Sequence, residues 1–419
     1  MAEPDLQAAV ESFVDEVVAF DEFGAPTRCD SVTLPGTAGL LPDSIPLLEN
    51  EFWTSKQRQA SSLHEVSYRA CFKPQLPRFF IDRLTRPGDR VLDPFLGRGT
   101  TAVEAALRGR VAVGRDVSPI SEALTLPRLH PPEWTAIEVR LEKLDLRFGG
   151  ALPEELLVFY HPDTLRELCA LRAYFLQRVR DGELDRVDAW LRMVATNRLT
   201  GHSSGFFSVY TLPPNQAVTV ERQAIINEKR DQVPPRRDVR AILAKKSRTL
   251  LVGLTDDERV ALNANRARHR ISVGDSGDLD SVGRRSISLC VTSPPFLDVV
   301  DYRGDNWLRC WFLGIDPDSV SISILRKLPD WTAEMTRILS AVKPTLKRGG
   351  FVAFEVGEVR GGSVRLEEHA ALAGRRAGLE AQAVLINRQN FTKTANCWGV
   401  SNNDRGTNSN RIVLLTRPD

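Results

Sequence analysis

The sequence predicts an open α/β sheet, largely parallel, with a mainly helical block inserted into it. Three observations lead there. Around residue 90 a short apolar strand runs through a glycine turn into a helix, which is the ligand-binding unit of open α/β sheets. After Asp116 the strand-then-helix alternation stops, and Pro131 to about Arg270 reads as helical runs without a clear strand series. From Ile271 onward short apolar strands return.

The first unit is Arg90-Val91-Leu92-Asp93-Pro94-Phe95-Leu96-Gly97-Arg98-Gly99-Thr100-Thr101. Val91-Leu92 follows Pro87-Gly88 and reads as a buried strand opening at a turn. Pro94 supplies no ladder donor, so the strand ends at Asp93. Gly97 and Gly99 let the backbone approach a ligand. Thr100-Thr101 start a helix that continues through Ala102 to Leu107. The turn has no lysine and no third glycine at the right offset, so it is neither a phosphate loop nor a dinucleotide turn. The next strand, Val111 to Gly114, ends at Arg115-Asp116, an acid placed to accept from ribose hydroxyls. A ribose without a phosphate at the glycine turn points to S-adenosylmethionine. The plain alternative is a βα turn whose glycines serve packing.

The remaining elements follow in order. Leu6, Val10, Phe13, Val14, Val17 and Val18 recur at helical spacing and predict an N-terminal helix. Gly24 to Pro46 is rich in Gly, Pro and Thr and reads as irregular, so residues 1–50 form an extension with no chemistry of their own. Residues 51–130 make the first part of the sheet domain. There, His64 to Pro77 lead into a helix over Arg78 to Leu84; Phe72 and Lys73 either line one side of the ligand or belong to a packed lead-in. Residues 131–270 are the insertion, with helices near Trp134 to Leu144, Thr164 to Arg180 and Arg186 to Arg198. Residues 271–419 complete the sheet through Ile271 to Asp275, Ile287 to Val291, Gly349 to Val356, Ala381 to Ile386 and Arg411 to Leu415.

Two stretches of the insertion suit nucleic acid. Asn197 to Gln216 mixes donors, small residues and aromatics in one loop. Asn197, Arg198, His202, Ser203, Asn215 and Gln216 are its candidates for phosphate and base-edge contacts. Between Asn227 and Arg270, twelve Lys/Arg stand against six Asp/Glu, in a chain whose net charge is only +2. Such a local excess is the footprint of a phosphate-backbone contact. Arg236, Arg237, Lys245, Lys246 and Arg248 are its candidate residues; a solvated charged helix face is the alternative.

A second constellation, Thr292-Ser293-Pro294-Pro295-Phe296, stands at the carboxyl end of the Ile287 to Val291 strand. Successive prolines fix φ and remove donors, so the turn presents acceptors: the Ser293 hydroxyl and the Pro294 carbonyl. Two acceptors facing one pocket suit an exocyclic amino group. They draw its nitrogen toward tetrahedral geometry and free the lone pair. Phe296 can stack on a base, a contact worth about 1–3 kcal/mol, and a base reaches such a slot only by leaving the duplex. A rigid corner without a ligand is the bland reading. Asn306, Trp307 and Trp311 read as helix packing, and Asn408 and Asn410 as either caps or ligand contacts.

Together the glycine turn and the Ser-Pro-Pro-Phe turn resemble the amino-methylating DNA methyltransferases, which act on cytosine N4 or adenine N6. The resemblance covers roughly residues 64–125 and 270–415. It implies a Rossmann-like, seven-stranded S-adenosylmethionine-binding sheet with an inserted target-recognition domain, the cofactor motif preceding the catalytic one. By that resemblance Asp93, Pro94, Phe95, Gly97, Gly99, Thr100 and Thr101 hold the cofactor. Asp116 takes the ribose hydroxyls and Asp275 the adenine amine, and the segment from Phe72 flanks the methionine end. Ser293, Pro294, Pro295 and Phe296 are the catalytic set. A serine at its first position resembles the cytosine-N4 enzymes; adenine N6 is the alternative, followed by an RNA amino-methyltransferase and a catalytically silent DNA-binding protein. Double-stranded DNA is the implied partner, and a restriction endonuclease acting on the same site is a candidate one.

Composition narrows the rest. The chain has 419 residues, 42% hydrophobic and 26% charged, as expected for a soluble globular protein of about two domains. No apolar run reaches spanning length, and the acidic N-terminus lacks signal-peptide order, so a cytoplasmic, nucleoid-associated protein is expected. The six cysteines are scattered without a C-x-x-C pair, predicting neither zinc nor a disulfide framework. None follows a proline, which argues against cytosine-C5 chemistry.

Overall fold

The computed structural model describes residues 6–34, 43–53, 60–68, 71–212, 217–297, 301–320, 325–357, 364–388 and 409–418. The described strands form one sheet: β1 (Arg28–Leu34), β2 (Asp43–Asn50), β3 (Arg90–Asp93), β4 (Val111–Asp116), β5 (Arg270–Val273), β6 (Ile287–Thr292), β7 (Leu346–Gly357), β8 (Glu380–Arg388) and β9 (Ser409–Thr416). Their order is β1-β2-β8-β9-β7-β6-β3-β4-β5. The seven strands from β8 to β5 are the expected Rossmann-like sheet. β9 alone among those seven runs antiparallel to its neighbours, β7 and β8. From β3 the chain moves outward to β4 and β5, then returns to the other side of β3 with β6 and β7. The reversal lies between β3 and β6, and open sheets bind ligands beyond the carboxyl ends of the strands at such a point.

The other two strands correct the sequence reading. Residues 24–46 were expected to be irregular, yet β1 and β2 form a hairpin, and β2 pairs in parallel with β8 through Leu47 to Asn50. The sheet therefore has nine strands. Only Val32 and Leu34 of β1 are buried, and Pro46 interrupts β2. Too little apolar alternation is left to signal a strand at a sheet edge, where such composition is tolerated.

Helices α1 (Leu6–Val18), α2 (Gln75–Leu84), α3 (Thr100–Leu107) and α4 (Pro119–Leu129) precede the insertion. Its helices are α5 (Trp134–Lys143), α6 (Pro162–Arg180), α7 (Arg186–Thr196), α8 (Val220–Lys229), α9 (Val239–Val252) and α10 (Asp256–Ala264). Helices α11 (Tyr302–Leu313), α12 (Leu328–Thr345) and α13 (Leu366–Arg376) follow β6 and β7. The inserted helices share one apolar core with a face of the sheet: Phe80, Ala106, Leu171, Trp190, Leu243 and Leu289 belong to the same cluster. Trp331, Leu339, Val352, Phe354, Ala370 and Val413 fill the opposite face under α12 and α13.

One buried charge network ties the insertion together. Asp188 is fully buried in α7, whose N-terminus is capped by the Asp185 carboxylate. Its carboxylate accepts from Arg140 of α5, and from the Arg178 Nε (3.0 Å) and Tyr174 hydroxyl (2.9 Å) of α6. Two guanidinium groups and a phenol satisfy an acid that would otherwise be very costly to bury. No described helix is long and apolar enough to cross a membrane.

Candidate active site

The glycine loop is shaped by the residues it was expected to contain. Asp93 ends β3 and accepts the Phe95 N–H at 3.1 Å, which turns the chain at Pro94. Gly97 and Gly99 adopt positive φ, +51° and +77°. A Cβ on Gly99 would lie 2.2 Å from Thr125 Oγ1, so glycine is required there. Asp116, at the end of β4, accepts the Gly97 N–H (2.7 Å) on one oxygen and the Ser118 N–H (2.9 Å) on the other. Burial raises its pKa. The acid thus fixes the loop, and its remaining lone pairs are at the strand tip. Arg98, between the glycines, was not singled out by sequence. Its guanidinium donates to the Val66 carbonyl at 2.8 Å and to the His64 and Phe72 carbonyls at 3.4 Å. That clamp draws Phe72 and Lys73 to the loop, and burial lowers the Lys73 pKa.

The two motifs sit side by side. β3 pairs with β6, Leu92 opposite Cys290. The Thr292 hydroxyl donates to Asp93 at 2.7 Å, and the Thr101 hydroxyl donates to the Val291 carbonyl at 3.1 Å. Asp93 is 1% exposed, and burial pushes its pKa to about 6. Beyond Thr292, the Trp331 indole donates to the Pro295 carbonyl at 2.9 Å and holds the proline corner. The Phe296 ring packs over Gly357 of β7, where a Cβ would meet it at 2.6 Å.

Sequence reasoning missed Glu355. It is buried in β7, and the Ser293 hydroxyl donates to its Oε2. Asn410 of β9 donates to the other oxygen at 3.0 Å. Burial raises the Glu355 pKa. The available signal was a lone acid inside the apolar run Phe351-Val352-Ala353-Phe354-Glu355-Val356, at the carboxyl end of a strand.

Other expected residues lie just after β5, on the loop after α7 and around α9. Asp275 follows β5, and its carboxylate chelates Arg337 at 2.8 and 3.0 Å, which lowers its pKa. Asn197 is buried and donates to the Met193 carbonyl, one turn back in α7. Arg198 lies 4.0 Å over the Phe206 ring, and burial lowers its pKa to about 10. His202 and Ser203 are exposed on the same loop, whereas Asn215, Gln216 and Asn408 fall outside the described residues. Arg236 pairs with Glu167 (2.8 Å), Lys246 with Glu65 (2.6 Å) and Arg248 with Glu138 (3.4 Å). Lys245 is exposed and Arg237 half-buried. As expected, Asn306 and Trp307 serve packing: Asn306 accepts from Arg309, and Trp307 donates to the Val218 carbonyl. Among the described residues no group of three or more His, Cys, Asp or Glu could hold a metal ion.

Comparison with known proteins finds similarity over part of the chain. A family model described as DNA methylase matches residues 47–123, the span that holds the glycine loop and Asp116. Over that span the chain resembles the amino-methylating DNA methyltransferases. Among methylases it is 24% identical over 297 residues to the type II methyltransferase M.BsoBI of Geobacillus stearothermophilus, covering 62% of this chain and 54% of the relative. It is also 23% identical over 154 residues to a tRNA (guanine(10)-N2)-dimethyltransferase of Methanocaldococcus jannaschii, covering 34% and 43%. The chain thus spans about half the length, or less, of these relatives. Among solved structures, an rRNA methyltransferase of Streptomyces viridochromogenes aligns over 88% of this chain and 97% of its own, with 11% identity and a TM-score of 0.35.

Proposed function

We propose that this methylase transfers a methyl group from S-adenosylmethionine to the N4 amine of a cytosine flipped out of duplex DNA. The carrying observation is the Ser293–Glu355 hydrogen bond beside the glycine loop. The loop fits the cofactor: two glycines in left-handed backbone, one of them with no room for a Cβ, open a cradle beside the Asp116 carboxylate. Asp116 would hold the ribose hydroxyls, and Phe72 and Lys73 would flank the methionine end. When bound, the cofactor supplies an electrophilic methyl on a sulfonium.

The chain's own residues do the rest. Because the Ser293 hydroxyl donates its hydrogen bond to Glu355, its lone pairs remain available to accept from the substrate amine. The Pro294 carbonyl accepts the second N–H. The amine is drawn toward tetrahedral geometry, and bringing it in line is mainly positioning. After methylation the nitrogen sheds a proton to Ser293 Oγ, whose own proton moves to Glu355. Burial raises the proton affinity of that carboxylate, which suits it to the task. Asn410 fixes the carboxylate's orientation. Serine at the head of the turn favours cytosine over adenine. A restriction endonuclease reading the same site would be the natural partner of such an activity.

The test is incubation of unmethylated genomic DNA, and separately of tRNA and rRNA, with tritiated cofactor, followed by nucleoside analysis. N4-methylcytosine in DNA is the expected product. N6-methyladenine alone would reject the cytosine assignment, and label confined to RNA would reject DNA as substrate.

A further inference from the structure

The amino-terminal ends of the parallel strands form a pole opposite Ser293, and it carries charge that the crevice does not use. Backbone hydrogen bonds bring three segments together there. The Arg285 N–H donates to the Pro344 carbonyl (2.9 Å), the Ser286 N–H to Thr345 (2.8 Å) and the Arg417 N–H to Gly350 (3.0 Å). Arg284 and Arg285, before β6, therefore meet Arg348 at the start of β7 and Arg417 just after β9. Beyond them Arg90 opens β3 and Arg270 opens β5.

The guanidinium groups of Arg90, Arg270 and Arg417 find carbonyls, not carboxylates. Arg90 donates to Val282 (2.9 Å), Arg270 to Ala267 (2.7 Å) and Arg417 to Leu346 (2.6 Å). No ion pair joins Arg90, Arg270, Arg284, Arg285, Arg348 or Arg417 to an acid among the described residues. Asp89, just before β3, is taken by Lys347 at 2.8 Å. A carbonyl satisfies an N–H and leaves the charge uncompensated. The Arg417 pKa is lowered by burial and then by Arg285, Arg284 and Arg348, so the cluster repels itself in the free protein. By contrast, Arg236, Lys246 and Arg248 of the insertion each sit on a carboxylate. From β9 to β5 the pole crosses five strand intervals, about 24 Å, or roughly seven phosphates along one DNA strand.

We infer that this pole is a sequence-independent docking surface for the phosphate backbone of a second stretch of duplex DNA, away from the catalytic crevice. The inference rests on the reading that the chain works on DNA. The test compares wild type with R284A/R285A/R348A in salt-titrated binding to a long mixed-sequence duplex. Losing three phosphate contacts should lower the log–log slope by about 2.7, so that wild type loses about fortyfold more affinity than the variant between about 50 and 200 mM salt. R284K/R285K/R348K should keep the wild-type slope, and calorimetric cofactor binding should be unaltered in both variants. With one duplex immobilised, wild type should capture a second, free duplex and the alanine triple should not. An unchanged slope, or capture by both proteins, overturns the docking surface. Tritium transfer on the same preparations keeps the two readings apart. Label in DNA with an unchanged slope sinks only the docking surface; a lowered slope without label in DNA sinks only the methylation reading.

Discussion

Asp93→Asn perturbs the joint between the glycine loop and β6. Asp93 is 1% exposed, and burial raises its pKa from 3.8 to about 6, against the bonds from Thr292 and Phe95. A carboxyl with a raised native pKa binds its proton more tightly folded than unfolded. Its stabilising contribution is complete below about pH 3.8 and is lost as the pH rises through about 6. The shift corresponds to about 3 kcal/mol overall, of which about 2 kcal/mol falls between roughly pH 4.5 and 7.5. Asparagine does not titrate, so the stability of wild type relative to the variant should fall by about 2 kcal/mol across that window. Urea unfolding of both proteins at several pH values reads the difference. Subtraction cancels His64 and His269, whose burial lowers their pKa values and weakens the fold on acidification. A gap constant to within about 0.5 kcal/mol would refute the desolvated Asp93–Thr292 contact.

Four further outcomes are expected. Glu355→Gln should reduce kcat by about 10²–10⁴-fold with little change in KM; wild-type activity should fall as the pH drops through the raised Glu355 pKa, and that acid limb should vanish in the variant. Asp116→Ala should weaken calorimetric cofactor binding by about 1.5–3 kcal/mol, and an unaltered dissociation constant would remove Asp116 from the site. Gly99→Ala must strain a left-handed residue against Thr125, so cofactor binding should be lost along with about 1–3 kcal/mol of stability in thermal melting. Asp188→Ala removes the buried acceptor shared by Arg140, Arg178 and the Tyr174 hydroxyl, while Asp185 and Glu183 still pair with the two guanidinium groups; a loss of about 1–3 kcal/mol in denaturant unfolding is expected.

The parts of this molecule that can be read from sequence are those whose signal is local. The glycine turn, the apolar strands β3, β4, β6 and β7 and the proline corner each declare themselves within a few residues. Glu355 does not, because its meaning depends on Ser293, 62 positions earlier, and on Asn410 from another strand. The hairpin of β1 and β2 escaped because its pairing with β8 supplies what its own sequence lacks. Charge counting located a basic stretch in the insertion but could not foresee that Arg236, Lys246 and Arg248 would each meet an acid from a distant helix or loop. An arginine's neighbours in space decide whether its charge is free, and composition is blind to them.

The position of β9 bears on how this protein is made. Because β9 lies between β7 and β8, neither of those strands acquires its central partner until residue 416 has left the ribosome. A chain interrupted before β9 lacks Asn410 and leaves the facing edges of β7 and β8 open. The methyl transfer proposed above should therefore arise only after translation of β9, with the interrupted products left as clients for chaperones and proteases.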